Sequence, residues 1–177
     1  DDDSFRLLIR NLCDEYGAVY IADRVRCGYD RTDQCYSLDH AGANAEIDTM
    51  EKGRDDGVAV AGILLAPHIH YRYGMLGTTF GGNQLACAAA LAVLEVMEEE
   101  KLMENAKANG QYLMGQLQAI PDLQNVRGRG LMIGFDVPEK LKNLKKKVLF
   151  DVKRCTGDAK PNVIRLLPSL ALNNRQL

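Results

Sequence analysis

The sequence predicts an α/β protein in two parts, with parallel strands and helices over residues 1–100 and a smaller α+β part over residues 101–177. Three observations carry this reading. Short apolar runs follow a segment of helical spacing, the pattern of strands feeding a parallel sheet. A long alanine-rich stretch, Leu85 to Met97, closes the first part. Beyond it the pattern changes to a one-faced helix, glycine-punctuated strands and a last apolar strand.

Residues 4–16 place Phe5, Leu8, Ile9 and Leu12 at helical spacing, with Ser4 as a natural N-cap and Gly17 as a natural C′ residue. Ala18-Val19-Tyr20-Ile21-Ala22 is expected as a strand buried on both faces, ending at Asp23. Ligands of open α/β sheets bind beyond the carboxyl ends of strands, which makes Asp23 a candidate site residue. Residues 26–46 are polar and turn-rich. Ile47–Met50 reads as a second strand, running into Glu51-Lys52-Gly53, and Ala61–Ala66 as a third.

Residues 74–82 hold four glycines in nine positions, which suits a loop whose backbone approaches something closely. Asn83 is a natural N-cap for a helix reaching about Glu100. Met103, Ala106, Gly110, Leu113, Leu117 and Ile120 form a one-faced stripe that Pro121 ends. Residues 125–137 read as a bent strand pair. Residues 139–154 carry Leu141, Leu144, Val148 and Val152 on one helical face, with Lys145 to Lys147 on a solvated one. Val163–Leu167 is the last strand, and nothing repeats internally.

Composition narrows the function. The 22 Lys+Arg against 24 Asp+Glu leave a net charge of −2, so nothing draws the chain to nucleic acid or to an anionic membrane. A hydrophobic fraction of 46% supports a packed core. No apolar run approaches the roughly 20 residues of a membrane helix. The start, Asp1-Asp2-Asp3, has no basic region, so no secretory signal is expected, and the lack of an initial Met suggests a fragment. Five cysteines without a CxxC pair suggest scattered buried thiols in a reducing cytosol rather than disulfides or structural zinc. His68 and His70 follow Pro67 with no Cys or carboxylate close by, so no metal site is expected there.

Asp23 and Lys52 stand at the ends of two short strands, with 28 residues between them. Such a pair is either a salt bridge or part of a site. Thr78-Thr79-Phe80-Gly81-Gly82 precedes a helix N-terminus, a setting that suits a phosphate group. Arg165 interrupts an apolar strand, and a guanidinium there needs an anionic partner. Arg129, between two glycines, is a weaker anion candidate.

These segments resemble the class III pyridoxal-phosphate aminotransferases. Asp23-Arg24-Val25-Arg26-Cys27-Gly28-Tyr29-Asp30-Arg31-Thr32 is similar to their pyridine-binding segment, and Thr49-Met50-Glu51-Lys52-Gly53 to their Schiff-base lysine segment. Gly77-Thr78-Thr79-Phe80-Gly81-Gly82-Asn83-Gln84-Leu85-Ala86 is similar to their G-[ST]-T-F-G-G-N-P-L-A segment. Val126 to Gly134 and Val163 to Leu170 resemble the small-domain signatures of the acetylornithine/succinylornithine branch. The five motifs occur in the family's order.

The resemblance implies a partial large domain of the type I pyridoxal-phosphate fold over 1–100 and a truncated small domain over 101–177. It also implies a role for each matching residue. Lys52 would hold pyridoxal 5′-phosphate through its amine and then move the proton. Asp23 would pair with the pyridine nitrogen, keeping the ring an electron sink. Val25, on the same strand face, would pack against the ring. Arg26 stands where the family has the Gln that meets the phenolic oxygen. Thr79, with Thr78 beside it, would bind the cofactor phosphate, in this family usually that of the neighbouring subunit. Arg165 would clamp the α-carboxylate of the amino acid or of 2-oxoglutarate. The implied reaction is ping-pong transfer of the δ-amino group of N-acetylornithine or N-succinylornithine to 2-oxoglutarate, in arginine biosynthesis, by a cytoplasmic homodimer.

The pattern departs at Arg24, where the family has Glu, at Arg26, and at Asp55-Asp56 in the lysine loop. Gln84 stands where the family has a helix-start proline. The family's amino-terminal half is not matched. The chain alone is therefore expected not to complete a transaminase site, and a non-catalytic remnant that keeps the fold and a dimer surface is the alternative.

Overall fold

A computed structural model describes residues 3–25, 27–28, 31–32, 42–50, 60–75, 77–141, 143–144, 146–147, 156–157, 162–173 and 175. They fall into two units: Asp1–Tyr29 with Gln34–Glu99, and Asp30–Asp33 with Glu100–Leu177.

In the first unit, α1 (Asp3–Tyr16) begins one residue before Ser4, so Ser4 lies in the first turn and is not the cap. Gly17 ends the helix as expected. Its φ of +63° and the 2.8 Å bond from the Ala18 N–H to the Cys13 carbonyl form a Schellman motif. The apolar stripe stays exposed at Phe5, Leu8 and Leu12. Polar contacts tie the helix down instead. Arg10 Nη1 donates to Glu46 Oε2 at 2.8 Å and to the Asn44 carbonyl at 3.1 Å, and Nη2 to Asp14 Oδ1 at 2.7 Å. The Tyr20 N–H also donates to Glu46 Oε2, at 2.7 Å.

The Arg10 hydrogen bond, with the Tyr20 N–H behind it, holds the Glu46 carboxyl below its ordinary value, while Glu46 holds Arg10 above its own. A lowered carboxyl stabilises the fold fully above the unfolded value of about 4.3 and loses that contribution as pH falls through the folded value. Urea midpoints should therefore decline below about pH 4.3, and the acid limb should flatten in Glu46→Gln. An acid limb identical in both proteins would contradict this role.

Strands β1 (Ile21–Asp23), β2 (Ile47–Met50) and β3 (Gly62–Leu65) form one sheet in that order. β1 and β2 pair in parallel, Ile21 opposite Ile47 and Asp23 opposite Thr49. β3 runs antiparallel, Leu65 opposite Ile47 and Gly62 opposite Met50. Residues 51–61 are too few for the crossover of about a dozen residues that a parallel return needs, whereas residues 24–46 suffice. β1 is not buried on both faces: Ala22 is 8% exposed and Ile21 57%. Among the described residues Ile21 and Ile63 are exposed on one face, while the other face holds the buried Ala22 and Met50 beside an exposed Leu64.

Helix α2 (Gln84–Glu99) starts as expected, with Asn83 Oδ1 accepting the Ala86 N–H at 2.9 Å and Asn83 Nδ2 donating to the Phe80 carbonyl at 2.8 Å. It buries Ala86, Ala90 and Met97 and exposes Leu85, Leu91 and Val96. The thiols are less buried than expected: Cys13 and Cys27 are half-buried and Cys87 is exposed. Cys35 and Cys155 lie outside the described residues.

The second unit packs α3 (Leu102–Gln118) on a sheet of β4 (Gln124–Arg129), β5 (Met132–Asp136), β7 (Val163–Leu166) and β6 (Thr156–Gly157), in that order and all antiparallel. Alternation on β5 sends Ile133 and Phe135 to the core, where Val137, Ile164 and Leu117 join them. Met132, Gly134 and Asp136 face the other way. The helix stripe shifts at its ends: Leu102 is buried where Met103 was expected, and Ile120 lies beyond the helix, 46% exposed. Leu102 and Met103 both reach Ala106 at helical spacing, so periodicity does not choose between them. Glu139–Leu141 form a 3-10 turn, Leu141 and Leu144 pack on the core, and Lys146 and Lys147 are exposed as expected. Lys145, Val148 and Val152 lie outside the described residues.

Close backbone approach and side-chain amides tie the unit together. Helix α3 comes close to the β4–β5 turn at Gly110, where a Cβ would stand 2.2 Å from the Gly130 carbonyl oxygen. Buried Asn109 donates from Nδ2 to the Leu172 carbonyl at 2.6 Å, and Asn105 Nδ2 to the Leu170 carbonyl at 2.6 Å. Arg31 joins the same unit. Its carbonyl accepts the Leu131 N–H at 3.0 Å, and its guanidinium donates to the Pro168 carbonyl.

Candidate active site

Asp23 stands where its sequence position implies, at the carboxyl edge of the parallel β1–β2 pair. Its Oδ1 accepts the Val25 N–H at 3.1 Å and the Thr49 hydroxyl at 3.3 Å. Oδ2 accepts no hydrogen bond among the described residues, and the side chain is exposed. The carboxylate is thus steered by two donors with one oxygen left over. That donor set fits a protonated ring nitrogen, which asks for one open carboxylate oxygen.

Val25 is not on the strand. β1 ends at Asp23, and Val25 lies in a turn closed by the Gly28 N–H on the Arg24 carbonyl at 3.0 Å. The Asp23 carboxylate causes this, because its bond to the Val25 N–H bends the chain as an Asx-turn does. Val25 is half-buried.

Lys52 and Arg26 lie outside the described residues, as do Asp55 and Asp56. The chain leaves β2 at Met50, two residues before Lys52, at the edge that carries Asp23.

Thr78 and Thr79 are exposed in a loop of bends before α2. Thr78 folds over Gly81, so close that a Cβ on Gly81 would stand 2.0 Å from its Cγ2. The Asn83 cap then turns the chain into the helix.

Arg165 belongs to the second unit, on the face of β7 opposite the Ile164 core. It is half-buried, and its Nε is covered without a hydrogen-bond partner among the described residues. The anionic partner expected for it is not among those residues. Arg129, the weaker candidate, is exposed at the end of β4.

Sequence reading missed the partner of Arg24. Arg24 is almost fully buried, and its Nε lies 2.5 Å from Asp48 Oδ1 in β2. An aspartate inside a four-residue strand was the available signal. Thr49, which orients Asp23, was visible only as part of a motif.

A shallow hollow of about 290 Å³ lies against Leu65, Pro67, Ile69 and Tyr71, beyond β3 at the edge opposite Asp23. None of the predicted site residues lines it. Among the described residues no three His, Cys, Asp or Glu side chains converge as for a metal ion. No helix among them is long and apolar enough to cross a membrane.

A sequence profile described as Aminotransferase class-III matches residues 1–177. The chain is 35% identical to the acetylornithine aminotransferase of Archaeoglobus fulgidus over 178 residues, covering 99% of this chain and 46% of that protein. It is 36% identical to the acetylornithine aminotransferase of Methanosarcina acetivorans over 176 residues, 96% of this chain and 43% of that one. The ornithine δ-aminotransferase structure of Plasmodium falciparum superposes with a TM-score of 0.84 at 28% identity, over 99% of this chain and 48% of that chain. A transaminase from the marine bacterium Virgibacillus shares the fold, with a TM-score of 0.90 at 23% identity, over 99% of this chain and 46% of that chain. The chain spans about half the length of the curated relatives it matches.

Proposed function

The chain belongs to the class III aminotransferases, and from that membership we propose that it takes part in transfer of the δ-amino group of N-acetylornithine or N-succinylornithine to 2-oxoglutarate. The names of the curated relatives support the substrate class. One observation of the chain itself carries the reading: a carboxylate with an open oxygen, at the carboxyl edge of two parallel strands, beside the point where the chain runs on to Lys52.

On this reading residues 1–100 are the cofactor-binding domain and 101–177 the small domain. Pyridoxal 5′-phosphate, when bound, supplies an electron sink that lets the C–H bond beside the amine ionise. Asp23 holds the proton on the ring nitrogen, oriented by Thr49. Lys52 would hold the cofactor through its amine and would take up the proton that leaves the donor carbon. Val25 packs on the ring, and Arg26 donates toward its phenolic oxygen. Thr78 and Thr79 donate to the phosphate, across the interface of a homodimer. The exposed Tyr71, Tyr73, Met75 and Phe80 beside that loop support such an interface. Arg165 clamps the substrate α-carboxylate. The reading places the protein in arginine biosynthesis in the cytoplasm.

Borohydride trapping with pyridoxal 5′-phosphate, followed by peptide mapping, tests the central assignment. Lys52 should carry the label in preference to the surface lysines, and Lys52→Ala should lose it. A label spread evenly over exposed lysines, unchanged in Lys52→Ala, would overturn the reading.

A further inference from the structure

We propose that Gly134 is a specificity-determining residue, glycine so that a substrate carboxylate can reach Arg165 along the surface of the sheet. The proposal rests on the reading that Arg165 holds that carboxylate.

Gly134 lies in the middle of β5, hydrogen-bonded between β4 and β7. A glycine inside a strand gives up side-chain packing and costs conformational entropy, so it calls for a reason. Elsewhere in this unit the reason is steric. A Cβ on Gly110 would stand 2.2 Å from the Gly130 carbonyl, and one on Gly128 would stand 2.3 Å from the Met132 carbonyl. Gly134 has neither constraint. Its φ is not in the left-handed region, and among the described residues a Cβ would meet only the Ile164 carbonyl oxygen, at an ordinary 3.8 Å. Backbone and packing would both accept alanine.

What stands opposite supplies the reason. Gly134 pairs with Arg165, and Arg165 pairs on its other side with Gly157. Directly paired residues share a face. The guanidinium therefore rises from a row in which both neighbours have no side chain. Its Nε has no hydrogen-bond partner among the described residues. Asp136, which shares that face on β5, is engaged by Arg127 Nη1 at 2.9 Å and Asn125 Nδ2 at 2.8 Å. A planar anion laid over the bare row could take two donors of the guanidinium fork. A methyl group at 134 would occupy one flank of that approach.

The test uses glutarate as a dicarboxylate probe, with calorimetric affinity and urea unfolding measured on wild type, Gly134→Ala, Gly134→Val and Arg165→Lys. Gly134→Ala should keep or raise the urea midpoint while weakening glutarate about tenfold or more, and Gly134→Val should weaken it further. In the active protein KM for 2-oxoglutarate should rise more than kcat falls. If Arg165→Lys weakens glutarate but Gly134→Ala does not, the proposal falls and the Arg165 reading stands. If wild type and Arg165→Lys bind glutarate alike, or neither binds it, the Arg165 reading falls as well. A large loss of stability in Gly134→Ala would make the glycine structural and overturn the proposal.

Discussion

Replacing Arg24 by methionine is expected to lower the stability of the first unit by about 3–5 kcal/mol. The side chains of Arg24 and Asp48 are 4% and 14% exposed, and Nε lies 2.5 Å from Oδ1. Removing the guanidinium leaves a carboxylate in a place that water barely reaches, and that desolvation is the main cost. The double variant Arg24→Met with Asp48→Leu should recover most of the loss, because the stranded charge goes with its partner. Arg24→Glu, which restores the residue of the family pattern, should be worse than methionine, since it sets two carboxylates together. A double-mutant cycle in urea measures all of this. A loss below about 1 kcal/mol in the single variant would mean a solvated pair of surface strength.

Gly110→Ala should destabilise the second unit by about 1–3 kcal/mol or more, although alanine is the better helix former by about 1 kcal/mol. The obstacle is backbone: the carbonyl of Gly130 would stand 2.2 Å from the new Cβ, and it cannot rotate aside as a side chain would. Gly115 of the same helix is the control, since a Cβ there meets nothing within 4 Å among the described residues. Gly115→Ala should stabilise by about 0.5–1 kcal/mol. Opposite signs for the two substitutions would locate the close approach by unfolding measurements alone, and equal signs would refute it.

Local signals were legible where they are local in fact. Gly17 as a helix-ending C′ residue, Asn83 as an N-cap, and the order of elements from α1 to β5 could be read from spacing and residue type, whereas the two-residue β6 could not. What depended on distant partners could not. The direction of β3 follows from loop length and from which edge of β2 is open, and a four-residue strand holds no sign of it. The exposure of Ile21 depends on what covers the sheet, whereas its apolar neighbours in sequence suggested burial on both sides. Val25 left the strand because the Asp23 carboxylate captured its N–H, an interaction two residues long that strand propensity overlooks. At the site, Asp23 and Arg165 stood out as charges in apolar runs. Arg24 stood out only as a departure from a pattern, because its meaning sits in Asp48, which lies 24 residues away in sequence. Asn109 read as one more polar residue on a helix until the Leu172 carbonyl gave it a partner.

The placement of Arg31 and Thr32 bears on any attempt to dissect the molecule. They belong to the second unit, yet the polypeptide on either side of their short segment belongs to the first. A product started at residue 100 would hold every strand and helix of the second unit and still lack the acceptor for the Leu131 N–H and the cation on the Pro168 carbonyl. Excision by a single cut therefore yields a piece with two severed attachments, and a faithful isolated half would need Arg31 supplied from outside the cut.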